Sequence, residues 1–147
     1  LVAYSKFNLT VQKLVRGTHN LNSNTIKVAL YTGVPVAADA LYATTLASSG
    51  VTEVANGNGY TTGGNSGGAS ISSNVTGTET VKTTTAITTW TASAAGFTLR
   101  AAAAYDFTTV NKDLLGFWDY GSSLVLSGTN ADTFSVIGLD TSLFTLA

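Results

Sequence analysis

FTLRAAAAYDF, residues 97–107, constrains the fold of this chain more than any other stretch. Phe97, Leu99, Ala101, Ala103, Tyr105 and Phe107 share one parity, with Thr98, Arg100 and Asp106 on the other. Period two is the repeat of a strand. Four consecutive alanines favour a helix in isolation, but Gly96 and the turn-like TTVNKD bracket the run, so a strand is expected. LLGFWDYG at 114–121, SLVLSG at 123–128, DTFSVIGL at 132–139 and LFTLA at 143–147 come next as short apolar runs parted by Gly, Asn, Asp and Ser. Upstream, ASISSN at 69–74, TETVKTTTA at 78–86 and ITTWTA at 87–92 are Thr-rich with few large apolar residues, which suits edge or half-exposed strands. Short strands at this spacing describe a mainly β fold, an antiparallel β-sandwich or jelly-roll-like domain spanning 1–147.

The N-terminal part reads differently. Ser5 can cap a short helix running to about Arg16, because Phe7, Val11, Leu14 and Val15 recur at helical spacing and Gly17 stands after them as a stop. A helical arm over about 1–20 is therefore expected to precede the β body. TIKVALYT at 25–32 then alternates, with Ile26, Val28 and Leu30 on one side and Lys27, Ala29 and Tyr31 on the other, which predicts a strand with one face on a core. Pro35 directs the chain into a connection, and ADALYATTLA at 38–47 fits either a brief coil or an extended segment. The stretch 61–93 is biased in Thr, Ser and Gly and holds too little bulky apolar matter for its own core, so it is expected to run across the β body or be completed by a neighbouring subunit.

Composition excludes several classes. The chain has no Cys, so disulfides and thiolate metal sites are out, and only one His, which rules out a histidine-rich metal site. Charged residues make up 10% of the chain and the formal net charge is -1, which supplies no steering field. The signs are unevenly placed: Lys6, Lys13, Arg16 and Lys27 all precede the first acid, Asp39. Such a basic element can dock on an acidic protein surface, or Lys13 and Arg16 can serve a helix C-terminus. Four basic residues fall short of a nucleic-acid stripe. No segment reaches the ~20 apolar residues of a membrane span, and LVAYSKFNL lacks the basic and apolar regions of a signal peptide.

Residues 56–64 read NGNGYTTGG. A phosphate loop requires GxxxxGK[ST], yet no Lys lies between Lys27 and Lys82, and the Thr-, Gly- and Ser-rich run after Gly59 cannot start the helix that a dinucleotide fingerprint needs. The run is read as a surface loop in which Asn56-Gly57 and Asn58-Gly59 tolerate positive φ. His19 sits in a turn just after Gly17, and no GxSxG elbow accompanies it. Asp106, Asp113 and Asp119 lie near Tyr105, Trp118 and Tyr120, a mixture that suits sugar binding or paired-carboxylate hydrolysis, but turn and strand-end roles for these acids are preferred. No calcium loop is present, and Trp90, Trp118, Phe117, Tyr105 and Phe134 are read as core. No catalytic residue, metal site or cofactor is expected.

Three anchors, IKVALYT at 26–32, EVANGNGYTTGG at 53–64 and GFWDYG at 116–121, stand within an order of segments that resembles a family of small β-rich virion proteins of tailed bacteriophages, the capsid decoration or cement proteins. The likeness covers most of the chain but not 65–95. It implies a structural protein on the outer surface of the phage capsid, often a trimer, that bridges major capsid protein subunits, without direct nucleic-acid or membrane contact. Candidate interface residues are Lys6, Lys13 and Arg16 on the basic helix and Asn58, Tyr60 and Thr61 in the loop. Tyr60 is taken as either an interface anchor or a residue packed on the body. A tail or fibre component engaging other tail proteins or host glycans is the alternative, and a polysaccharide hydrolase is a further rival.

Overall fold

The computed structural model describes residues 4–75, 78–83, 89–136 and 144–146. It is mainly β with antiparallel pairing and one short helix, as expected. In chain order the elements are β1 (Tyr4–Lys6), α1 (Thr10–Val15), β2 (Thr25–Tyr31), β3 (Asn65–Val75), β4 (Thr78–Thr83), β5 (Trp90–Thr91), β6 (Phe97–Asp106), β7 (Leu114–Leu126), β8 (Thr133–Phe134) and β9 (Phe144–Leu146). A seven-stranded sheet runs in the order β1-β7-β6-β2-β3-β4-β9, and β5 and β8 form a two-stranded ribbon. LLGFWDYG and SLVLSG, read as two strands, are one, and 84–88 and 137–143 lie outside the described residues.

The centre of the sheet is buried on both faces, not on one. Ile26, Val28 and Leu30 of β2 join Trp90, Ala92 and Phe134 of the ribbon region in one apolar cluster. Ala29 and Tyr31 point the other way, into a second cluster with Phe7, Leu46, Tyr105 and Phe117. Lining both sides of one strand with apolar residues is the pattern of a covered sheet. Ile26, Val28 and Leu30 are fully buried, and each such side chain contributes about 1.5–3 kcal/mol.

The alanine run of β6 occupies this covered centre, and Ala101 to Ala104 are all fully buried. Small side chains leave room for the large residues that cross from both coverings. The single alternation expected over 97–107 does not persist. Phe97 and Leu99 share a cluster with Ala102 and Ala104, while Ala103 and Tyr105 face the opposite one. The cause is a register shift between Leu99 and Ala101: Leu99 pairs with Leu124, but Ala101 pairs with Asp119. Between those pairs Arg100 alone stands against residues 120–123 of β7, where Gly121 takes φ +80°, and at this irregularity the inward parity of β6 changes.

The N-terminal arm also differs from expectation. Ser5 lies in β1, paired with Phe117 at the sheet edge, and does not cap α1, whose N-cap is Leu9. The helix is six residues long. Val11 and Val15 are exposed, and the inward contacts come from Phe7, Thr10 and Leu14. Thr10 Oγ1 donates to the Leu115 carbonyl at 2.8 Å, and Asn8 N donates to Ala37 O at 2.8 Å. The segment is a fastened edge of the sheet rather than a projecting arm. Residues 38–47 form no helix and attach through single bridges, Leu41 to Asp113 and Thr45 to Thr52. The Thr- and Ser-rich stretch extends the sheet: β3 pairs with β2 over Asn65 to Ala69, then Ser70–Val75 pairs with β4 beyond the start of β2.

Ala103→Leu tests the two-sided burial. Overpacking a covered strand is expected to lower unfolding free energy by about 1–3 kcal/mol in urea denaturation. A neutral result would mean that one face has room.

Candidate functional site

The 56–64 loop is shaped by its own backbone. Gly57, Asn58 and Gly59 have φ of +112°, +53° and +96°, and Gly57 and Tyr60 exchange hydrogen bonds of 2.8 and 2.9 Å to close a tight turn. Glycine and asparagine are the residues that take this conformation at low cost. The expected positive-φ turn is therefore present. At Gly59 a Cβ would fall inside contact distance of the Thr91 carbonyl oxygen, and at Gly64 inside that of Val28. Two neighbouring backbones approach where only glycine permits it.

What holds the loop there is Glu53, buried with 4% exposure. Its Oε1 accepts from the Tyr60 hydroxyl at 2.6 Å and from Gly63 N at 2.7 Å, and its Oε2 accepts from the Tyr42 hydroxyl at 2.8 Å. The Tyr60 oxygen in turn accepts from Leu30 N at 3.0 Å, which ties the loop to β2. Tyr105 donates to Gly63 O at 2.7 Å and stacks on Tyr42 with centroids 4.3 Å apart, and Tyr31 donates to Ala43 O at 2.9 Å. Burial raises the pKa of all six tyrosines of the chain, Tyr120 to about 12. For Tyr42 and Tyr60 the hydrogen bond to Glu53 adds to the effect of burial.

Of the candidate interface residues, Lys6, Arg16, Asn58 and Thr61 are exposed. Lys13 is half-buried and ion-paired with Asp113, itself 1% exposed. Tyr60 is 2% exposed and belongs to the core, so the reading of it as an interface anchor is corrected to that of a structural pin. Sequence order does not bring the two groups together. The 6–16 segment fastens to Leu115 and Gly116 of β7, whereas the loop fastens to β2, to Thr91 of the ribbon and to Ser93 just after it.

The acids considered for chemistry are each engaged. Asp106 is fully buried, bonded to His19 Nδ1 at 2.9 Å, Asn24 Nδ2 at 2.7 Å and Thr108 N at 3.1 Å. His19 Nε2 is buried without a hydrogen-bond partner among the described residues. A polar cleft of about 450 Å³, lined by Thr18, Asn20, Asn24, Thr108, Thr109 and Asn111 among others, borders this pair. Asp119 is half-exposed and meets Arg100 Nε at 2.8 Å; that hydrogen bond first, then one from Gly121 N, holds its carboxyl below the usual range. Trp118 is 9% exposed and packs on Tyr4, and Tyr120 packs edge-on against Phe134, so these rings do not form an open platform.

Glu53 was not singled out by the residue patterns. A signal existed, because it is the one charged residue between Asp39 and Glu79, and an isolated charge in an uncharged stretch calls for a dedicated partner. No family model, curated protein or solved structure matches this chain.

Tyr60→Phe leaves Leu30 N unpaired and removes a donor from Glu53. It is expected to lower stability by about 1–3 kcal/mol in denaturant titration, with the fold retained. The tyrosines set a second expectation. Phenols with raised folded pKa bind protons above pH ~10, where the unfolded chain has released them. Stability is thus full below pH ~10 and falls above it, and tyrosinate absorbance should emerge together with loss of circular-dichroism structure. Absorbance rising well before unfolding would show that the phenols are accessible.

Proposed function

We propose that this chain is a virion structural protein, a capsid decoration or cement protein that binds the outer shell of a tailed phage and bridges major capsid protein subunits. The observation that carries the reading is the role of the three anchors of the resemblance. Residues 26–31 and 116–121 belong to strands of the same large sheet, and 53–64 is the loop pinned to β2 by Glu53 and Tyr60. At Gly116 a Cβ would collide with the Tyr4 ring, so this anchor too serves close packing. Residues that define the likeness build a rigid framework, and a rigid framework suits a protein whose work is contact.

Exposed Lys6 and Arg16, with the tip of the loop at Asn58 and Thr61, supply candidate contacts to the coat or to a sister subunit in a trimer. Several weak contacts to adjacent subunits act together, because each becomes intramolecular after the first has formed. Bridging of this kind strengthens a shell against packaged DNA without chemistry. A tail or fibre component that engages host glycans needs open aromatics, and the packing of Trp118 and Tyr120 beside Asp119 lends that alternative no support.

The test is sedimentation of the purified chain with DNA-filled heads lacking it, against purified tails. Binding to heads at many more copies than any tail component, with heads more resistant to heat, is expected. Lys6→Ala combined with Arg16→Ala should flatten the salt dependence of binding. Sedimentation with tails alone would overturn the shell role.

A further inference from the structure

Asp39, Glu53, Asp106 and Asp113 are buried, whereas several cations face outward. Asp39 accepts from Val36 N and from Ser48, Asp132 accepts from Ser127 N, and Glu53, Asp106, Asp113 and Asp119 are each hydrogen-bonded or ion-paired. Lys27 and Lys112 form no ion pair among the described residues, where the pairs use Lys13, His19 and Arg100. Instead both ammonium groups stand near the ring of Phe107, with Nζ to centroid distances of 4.3 Å for Lys27 and 5.4 Å for Lys112. Lys112 also lies 5.7 Å from the Tyr42 ring. An aromatic quadrupole orients a cation without neutralising it.

The same rim is apolar. Phe107 is 42% exposed, Leu41 45% and Val110 99%. Beside Tyr42 lies a recess of about 380 Å³ lined in part by Ala40, Leu41, Ala43 and Ala47. The rim is well braced: Tyr42 N donates to Lys112 O at 2.9 Å, Phe107 N to Thr25 O at 2.9 Å, and Tyr42 stacks on Tyr105. Little ordering is therefore left for a partner to impose.

We propose that the rim of Lys27, Phe107 and Lys112, with the recess beside Tyr42, docks a partner protein through a segment that carries a carboxylate next to an aliphatic side chain. The carboxylate meets the two ammonium groups, and the aliphatic group covers Leu41 or enters the recess. Both halves of that ligand are needed to satisfy both halves of the rim. A nucleic acid suits it poorly, because two cations on a chain of net charge -1 make no basic stripe and phosphates leave the apolar part uncovered. The surface uses residues other than Lys6, Arg16, Asn58 and Thr61, and rests on the proposed role only in that the partner is a protein.

The experiment is an amide-resolved NMR titration of the full chain with a capped Glu-Leu-Glu-Leu peptide, its Gln-Leu-Gln-Leu counterpart, and a thymidine oligonucleotide of equal charge. The acidic peptide is expected to shift amides of 25–27, 41–42 and 107–112 and to weaken with salt. Lys27→Ala with Lys112→Ala should lower its affinity about five- to tenfold while amide dispersion is kept, and Lys6→Ala with Arg16→Ala should not. Equal binding of the Gln peptide, shifts centred elsewhere, tighter binding of the oligonucleotide, or no shifts would each overturn the proposal. None of these outcomes depends on heads or tails, so a failure here is distinct from a failure of the shell role.

Discussion

A carboxylate taken out of water has to be given donors, and the way Glu53 is given them organises one side of this protein. Its two oxygens accept from Tyr60, Gly63 and Tyr42, groups that lie in the 56–64 loop and in the connection after β2. Withdrawing any donor leaves a buried charge short of hydrogen bonds, which costs more than the bond itself contributes. The loop is consequently fixed although it is rich in glycine. Its freedom is spent on close approach to Val28 and Thr91 rather than on motion.

The same arrangement explains why the central strands are covered on both faces. Once the loop and the 32–53 connection are tied to the Glu53 hub, Leu46 and Val54 lie over opposite faces of the sheet in separate clusters. Space between coverings and sheet is then limited, and the alanines of β6 fit within it. The register shift opposite Gly121 lets one strand present Leu99 and Ala102 to the same side despite their opposite parity.

Charge is partitioned by the same packing. Four of the described acids are buried and hydrogen-bonded, while Lys6 and Arg16 face outward and Lys27 and Lys112 rest on an aromatic ring. A net charge near zero therefore does not describe what a partner meets. The basic character visible in the order of residues before Asp39 is sharpened at the surface, because four of the described acids from Asp39 onward are inside.

The sequence by itself determined the class of fold, the strand at 25–31, the glycine and asparagine turn at 57–59 and the core role of Trp90, Tyr105, Phe117 and Phe134, since these depend on period, side-chain size and local dihedral preference. Only the tertiary structure decided the rest. Ser5 became a strand residue because β7 offered it an edge, Val11 and Val15 remained outside because a six-residue helix buries only what β7 reaches, and Tyr60 turned inward because Glu53 needed its hydroxyl. Alternation within β6 failed for a like reason: it breaks where the pairing with β7 shifts register. Local patterns record what a segment prefers, whereas these outcomes depend on partners far along the chain, whose positions no local pattern contains.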